Sequence, residues 1–130
     1  MLPATILLLS SEPVARTVIS EALTVAGHVV LATGDLGNAV KILAETPVDL
    51  LIIAPYIGNI PGHDAAKYLR GKNPSMLVLE LAGLPADDRI LIRAGLEKFE
   101  LFPTPFPVAD LVEKVASMLR TPADPPGKPQ

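Results

Sequence analysis

The stretch VDLLIIA (residues 48–54), followed by PYIGNIPG (residues 55–62), decides the fold of this chain. Its four consecutive large aliphatic residues, without alternation, predict a strand that is buried on both faces. Such a strand lies in the middle of a parallel sheet with helices on both sides, and ligands bind beyond the carboxyl ends of these strands. Ala54 stands at that end. Its methyl group can neither accept a phosphoryl group, hold a metal ion nor move a proton.

The composition predicts one globular domain. The chain has 130 residues, 49% of them hydrophobic, and its 11 basic and 14 acidic residues give a net charge of -3. Nothing indicates the clustered basic face of a nucleic-acid-binding protein. The absence of cysteine excludes disulfide bonds and thiolate metal sites. Residues 50–62, the longest charge-free apolar stretch, are too few to span a bilayer. We therefore expect a cytoplasmic protein that binds neither nucleic acid nor membranes.

Strand and helix patterns alternate along the chain, which predicts a doubly wound α/β domain. The first helix is expected to begin with Ser11 as its N-cap, and its inward stripe is Ala15, Val18, Ile19, Ala22 and Val25 or Ala26. Residues 121–130 contain four prolines and no apolar pattern, so we expect a flexible tail or linker stub. The predicted strands cover 5–9, 28–32, 48–54, 76–81 and 99–102; the predicted helices cover about 12–26, 36–45, 63–72, 87–94 and 108–120.

Five short motifs occur in an order that resembles a known family, the CheY-like receiver domains of two-component response regulators. They are ILLLSSEP (6–13), VDLLIIA (48–54), GNIPG (58–62), RAGLEK (93–98) and TPF (104–106). The resemblance implies a flavodoxin-like sheet of five parallel strands in the order 2-1-3-4-5 with five helices, formed by residues 1–120. It also implies a cis peptide bond before Pro105.

The same resemblance implies which residues occupy the phosphorylation pocket. Receivers transfer a phosphoryl group to an aspartate, with a magnesium ion held by carboxylates and an assisting lysine. The aspartate position is Ala54 here, and the acidic pair is Ser10 and Ser11. Leu81 replaces the Thr or Ser that senses the phosphoryl group, and Thr104 replaces the lysine. We therefore expect a pseudo-receiver that is not an enzyme, with no catalytic residue, bound metal or cofactor.

Three further polar residues need an interpretation. His28 and His63 lie at the starts of a predicted strand and a predicted helix, without a matching catalytic constellation, so we expect solvated surface or capping residues. Glu80 interrupts an apolar strand. Because unpaired buried carboxylates are rare, we expect it to be paired or exposed at the strand end.

Two classes of function remain open. The first is a binding module that docks on a sensor kinase, another regulator, an effector or a second copy through the predicted fourth helix, fifth strand and last helix. The second is a sensor of an apolar or uncharged small molecule. Its site would be the neutral cleft at the strand ends, around Ser10, Ala54, Leu81 and Thr104. An ordinary solvated surface is the alternative to the first. The residues predicted to bind a partner are Arg89, Ile92, Arg93, Lys98, Asp110 and Lys114.

Overall fold

Five parallel strands form one sheet in the order β2-β1-β3-β6-β7. The structure is a computed structural model, which describes residues 4–83, 95 and 98–120. Strands β6 and β7 are the predicted fourth and fifth strands, so the predicted order 2-1-3-4-5 is confirmed. The strands are β1 (Thr5–Leu9), β2 (Val29–Thr33), β3 (Leu50–Ile53), β6 (Leu77–Gly83) and β7 (Glu100–Thr104).

Four helices lie in the described part of the chain, and each connects or follows strands of the sheet. They are α1 (Pro13–Val25), α2 (Leu36–Glu45), α3 (Gly62–Lys72) and α4 (Val108–Arg120). The helix predicted over residues 87–94 and the predicted tail, 121–130, lie outside the described residues. Within the described ranges, no helix has the length and apolar character needed to cross a membrane.

A small hairpin follows β3 and was not predicted. Its strands are β4 (Tyr56–Ile57) and β5 (Ile60–Pro61), which pair antiparallel around the two residues Gly58 and Asn59. Gly58 has a φ of 61°, which glycine adopts without steric cost at the first position of a tight hairpin turn. The Gly-Asn pair between two apolar residues was a signal for this turn.

The sheet separates two apolar layers. Leu51 and Ile53 pack against α2 and α3, whereas Leu50 and Ile52 pack against α1 and α4. All four side chains are fully buried. The prediction of a central strand without alternation is confirmed, because both faces of β3 are covered by helices.

The prediction for the start of α1 is wrong by one residue. Glu12, not Ser11, is the N-cap, and Glu12 makes no side-chain capping bond. Ser11 is exposed. The helix begins at Pro13, whose fixed φ suits the first helical position, so the residue before it becomes the cap. Ser10 Oγ instead accepts a hydrogen bond from the Glu12 amide at 3.3 Å.

The predicted inward stripe of α1 is correct only in part. Ile19 is buried as expected, and Leu23, which the prediction left out, is fully buried. Val18 is 46% exposed and Val25 is 88% exposed. The reason is that apolar residues cover more than one face of this helix, and the sheet buries one of them.

Candidate functional site

Ser10 and Ala54 lie side by side at the carboxyl ends of β1 and β3. The Ala54 amide donates a hydrogen bond to the Leu9 carbonyl at 3.0 Å, and the Ser10 amide donates to the Thr33 carbonyl at 3.0 Å. These bonds continue the strand pairing by one residue beyond the assigned strands. The sheet therefore fixes the backbone at both positions.

Leu81 and Thr104 reach the same edge through the strand register. Ile53 pairs with Glu80, so Leu81 follows at the level of Ala54. Thr104 pairs with Gly83, and its hydroxyl donates to the Ala82 carbonyl at 3.4 Å. The fold thus brings four of the five predicted pocket residues to one edge. Ser11, the fifth, is the second residue after β1 and is exposed.

The chemistry of this edge is neutral at the five predicted positions. Ser10 is 3% exposed and Leu81 is 5% exposed, and Leu81 belongs to the apolar layer that packs on α1 and α4. Magnesium prefers carboxylate oxygens and dehydrates reluctantly, so two serine hydroxyls are poor ligands for it. No group of three or more His, Asp or Glu side chains in the described ranges could hold a metal ion.

One cation does lie at this edge. Arg16 Nη1 donates a hydrogen bond to the Ser10 carbonyl at 2.7 Å. It also lies close to Gly34, where an added Cβ would be 2.5 Å from the same nitrogen. The guanidinium therefore ties α1 to the end of β1 and lies beside Gly34, the residue after β2. This contact uses a backbone carbonyl, so it does not depend on an acidic side chain at position 10.

The start of α3 is pressed against the end of β3. A Cβ added to Gly62 would overlap the Ala54 carbonyl oxygen, and the Gly62 amide donates to the Pro55 carbonyl at 2.6 Å. Only glycine leaves room for this approach. The peptide segment around Ala54 is therefore confined by β1 on one side and by the first residue of α3 on another.

Beside this edge lies a buried pair, His63 and Glu80. His63 Nδ1 is 3.1 Å from Glu80 Oε1, and both side chains are 8% exposed. The Phe99 ring packs on the imidazole with 5.2 Å between ring centroids. The prediction of a surface or capping role for His63 is wrong, because α3 places its second residue over β6. The expectation that Glu80 is paired is confirmed.

His28 is also buried, contrary to the prediction. It is 8% exposed, and its Nδ1 has no hydrogen-bond partner among the described residues. Its amide donates to the Leu23 carbonyl, which turns the chain from α1 into β2 and places the imidazole in the interior.

Comparison with solved structures defines the fold family. The CheY-like receiver domain protein of Methanospirillum hungatei JF-1 superimposes with a TM-score of 0.83 at 15% identity, covering 92% of this chain and 95% of that one. The signal receiver domain of a putative Luxo repressor protein from Vibrio parahaemolyticus gives 0.81 at 12% identity, covering 92% of each chain. This chain has the receiver-domain fold of response regulators.

At the level of sequence, the similarity to known proteins is low. The chain matches no protein-family model. It is 28% identical over 120 residues to the probable transcriptional regulatory protein TcrX of Mycobacterium tuberculosis (strain ATCC 25618 / H37Rv). The alignment covers 91% of this chain and 50% of TcrX, so the chain spans about half the length of this curated relative.

The predicted partner-binding face of the receiver fold is described in part. Arg89, Ile92 and Arg93 lie outside the described residues. Lys98 is exposed with a φ of 60°, and Lys114 Nζ is 2.9 Å from Glu100 Oε1.

Lys98, Glu100 and Lys114 line a shallow cavity of about 160 Å³ between β6, β7 and α4. Asp110 is exposed in the first turn of α4 and does not line this cavity. The predicted residues that the structure describes thus divide between this cavity (Lys98 and Lys114) and the start of α4 (Asp110).

The thioether and aliphatic side chains beside these charges come from Leu77, Val78 and Met118. Sequence reasoning found the charged residues of this face but not its apolar floor. The strand register could have indicated this apolar floor, because it places the start of β6 next to the residue before β7.

Proposed function

We propose that this chain is a non-phosphorylatable, receiver-like interaction module, a pseudo-receiver, in two-component, phosphorelay-type signal transduction. The observation that carries the proposal is Ala54 at the carboxyl end of β3, where a receiver needs its phosphoacceptor. An alanine cannot form the acyl phosphate. We accordingly propose that the domain has no catalytic activity and signals through protein contacts.

The surroundings of Ala54 support this proposal. Phosphoryl transfer depends on positioning and on neutralising the charge that develops on the phosphoryl oxygens. Ser10 is buried and accepts a hydrogen bond from the Glu12 amide, and Leu81 is packed in the apolar layer. Thr104 carries no charge. Neither a metal ion nor a lysine would stabilise the transferring group at these positions.

A protein partner is the proposed target. It would be a sensor kinase, another regulator or an effector, or a second copy of the chain, bound through β7, α4 and the segment predicted as the fourth helix. Charges of both signs around an apolar floor, as at Lys98, Glu100 and Lys114, suit directed pairing with another protein. The similarity to TcrX, a probable transcriptional regulatory protein, supports a place in regulation.

The experiment is treatment with acetyl phosphate, or with beryllofluoride, in the presence of magnesium. We expect the intact mass after acetyl phosphate and the NMR spectrum after beryllofluoride to remain unchanged. A receiver that retains its aspartate, treated in parallel, is the positive control. A stable adduct of one phosphoryl group on this chain would contradict the proposal.

The variant Ala54→Asp tests whether the missing nucleophile alone prevents phosphorylation or whether the residues around it also do. We expect no phosphorylation of this variant either, because Ser10, Ser11 and Thr104 still leave magnesium and the phosphoryl charge without partners. The free energy of unfolding should fall by about 1 kcal/mol, since the new carboxylate is partly desolvated without a compensating ion. Efficient phosphorylation of Ala54→Asp would mean that the pocket is functional apart from one residue.

The small-ligand alternative gains no support from three concavities formed by described residues. They lie between β6, β7 and α4 and along α1 and α4. None of these is lined by the residues of the neutral cleft. A sensor of small molecules would need an enclosed pocket with convergent polar groups.

A further inference from the structure

The two outer strands of the sheet differ in how they meet solvent. At one end of the strand order, β7 carries Glu100, which pairs with Lys114, and Pro103, which has no N–H to donate. Charged residues and proline on an outer strand hinder pairing with a further strand. At the other end, β2 has the sequence VVLAT, without a charge or a proline. In the described ranges, no strand pairs with the outer side of β2.

The backbone of β2 presents a defined set of hydrogen-bonding groups on this outer side. The Val29 amide donates at 2.9 Å, and the Thr33 carbonyl accepts at 3.0 Å, each with a residue that flanks β1. Both residues are thus directed toward β1. Since the direction of the backbone groups alternates along a strand, the N–H and C=O groups of Val30 and Ala32 point away from β1. We call this free side, with its two donors and two acceptors, the β2 edge.

Exposed apolar side chains lie on both faces of the sheet at the β2 edge. Side chains alternate between the faces, so Val29 lies on the same face as Leu31, which packs toward α2 and α3. Val29 is 51% exposed. Ala32 is exposed on the other face, where Val30 packs toward α1. An added strand would cover both exposed side chains and would also bond the free backbone groups.

A second copy of β2 fits this edge. A two-fold axis places a strand antiparallel to the same strand of the other copy. One register uses all the free groups: Val30 pairs with Ala32 of the second copy, Ala32 pairs with its Val30, and the two Leu31 residues face each other on the axis. Each pair of Val30 and Ala32 exchanges two backbone hydrogen bonds, which gives four in total. We propose that the chain forms a symmetric dimer in which two β2 strands join the sheets into one of ten strands.

The side chains are complementary in this register. Val30 lies opposite the smaller Ala32 on the face toward α1. Asp35, the nearest Asp, Glu, Lys or Arg residue in the sequence, lies opposite Gly27, so no like charges meet across the axis. A strand that pairs with its own copy must match its own reversed sequence, and β2 does so. This self-complementarity favours a second copy over a strand of a different protein.

The dimer should be weak. Two strands of five residues bury less than the about 1,200 Å² that a stable interface needs, so we expect a dissociation constant on the order of 100 μM. The contact lies at the opposite edge of the sheet from the β7 and α4 face of the proposed function. It does not depend on whether position 54 accepts a phosphoryl group.

Sedimentation equilibrium of the full chain, from about 10 μM to about 1 mM, measures the dimer. Ala32→Pro removes an outward N–H at an exposed position, and Val29→Lys adds a charge to the edge. Each should weaken the dimer at least about tenfold. Val14→Lys is the matched control, because Val14 is 69% exposed but lies on α1 beside the start of α4, so the dimer should not change.

Circular dichroism confirms that each variant is folded. A chain that is monomeric at about 1 mM would overturn the proposal. So would a dimer that neither Ala32→Pro nor Val29→Lys weakens, or one that Val14→Lys dissociates, since the contact would then lie elsewhere.

Disulfide crosslinking tests the register, since the chain has no cysteine of its own. Leu31→Cys places two thiols across the axis, where Cα atoms are about 4.5 Å apart, within disulfide range. Val29→Cys is the control on the same strand, because its two copies would be four residues, or about 14 Å, apart along the strands. With diamide as the oxidant, Leu31→Cys should crosslink at least about tenfold faster. Faster crosslinking of the more exposed Val29→Cys would overturn the register.

Amide hydrogen exchange gives an independent check. The Val29 amide is bonded in the single chain, whereas the Val30 and Ala32 amides become bonded only in the dimer. We expect exchange at Val30 and Ala32 to slow at least about threefold between dilute and concentrated protein, with no change at Val29. Exchange at these two amides that is independent of concentration, in samples that sediment as a dimer, would place the contact outside the β2 edge and overturn the proposal.

Discussion

The two faces of the sheet are stabilised by different kinds of contact. Toward α2 and α3, the core contains a carboxylate and an imidazole, Glu80 and His63, which satisfy one another under the Phe99 ring. Toward α1 and α4, the neighbouring residues of β6, Leu79 and Leu81, pack in an apolar layer around the strands, together with Met118, Phe102 and Phe106. The first face is specified by a directional contact. The second depends on the close packing of apolar side chains.

Leu79 and Glu80 make this difference measurable, because they are adjacent residues of one strand that point to opposite faces. Both are nearly or fully buried, at 0% and 6% exposure. Substitution at each position changes one face and leaves the other in place.

The largest effect is expected on the apolar face toward α1 and α4. Leu79→Ala removes three side-chain carbons from a fully buried position and leaves a cavity, so the free energy of unfolding should fall by about 3 kcal/mol. Urea denaturation followed by circular dichroism measures this change. A loss of less than about 1 kcal/mol would show that the layer collapses around the cavity and is not closely packed.

A smaller loss is expected on the face with the polar pair. Glu80→Ala leaves the buried His63 Nδ1 without its partner, and we expect a loss of about 2 kcal/mol in the same denaturation experiment. The double variant His63→Leu with Glu80→Leu should recover stability to within about 1 kcal/mol of the native chain, because no polar group remains unpaired.

The double variant distinguishes two explanations. If it were as unstable as Glu80→Ala, the packing of the imidazole on Phe99, and not the contact with Glu80, would be the main contribution of His63. Both faces of the sheet would then be stabilised mainly by packing.

The smallest effect is expected for a charge pair outside both layers. Lys114 and Glu100 form an ion pair whose side chains are 31% and 53% exposed. Lys114→Ala should change the free energy of unfolding by less than about 0.5 kcal/mol, because solvent and salt screen exposed pairs. A loss above about 1.5 kcal/mol, compared by denaturation at low and high salt, would show that this pair supports the fold.

The sequence predicted the order and arrangement of the strands and helices, because aliphatic runs and turn residues determine local structure. The range of α4, the strand order and the cis bond before Pro105 are confirmed. The placement of Ala54 and Leu81 at one edge followed from strand ends in a parallel sheet. These features need only the period of the pattern and the order of the elements.

What remained hidden depends on contacts between distant residues. His63 lies 17 residues from Glu80, and no local pattern shows that the second residue of α3 lies over β6. Val18 and Ile19 have the same apolar character, yet one is exposed and the other is buried. A hydrophobic period identifies an apolar face, but it does not say whether this chain or another molecule covers it.

The hairpin after β3 is a closed loop. It leaves the sheet at Ala54, which is bonded to β1, and it returns at Gly62, whose amide bonds the Pro55 carbonyl. Since its two ends are already held together, extra residues at the Gly58 turn would add little to the entropic cost of closing it. A peptide inserted there would lie next to the strand ends at Ser10 and Ala54, and it would not strain the sheet. The hairpin is thus a natural attachment point for a reporter or a new binding loop.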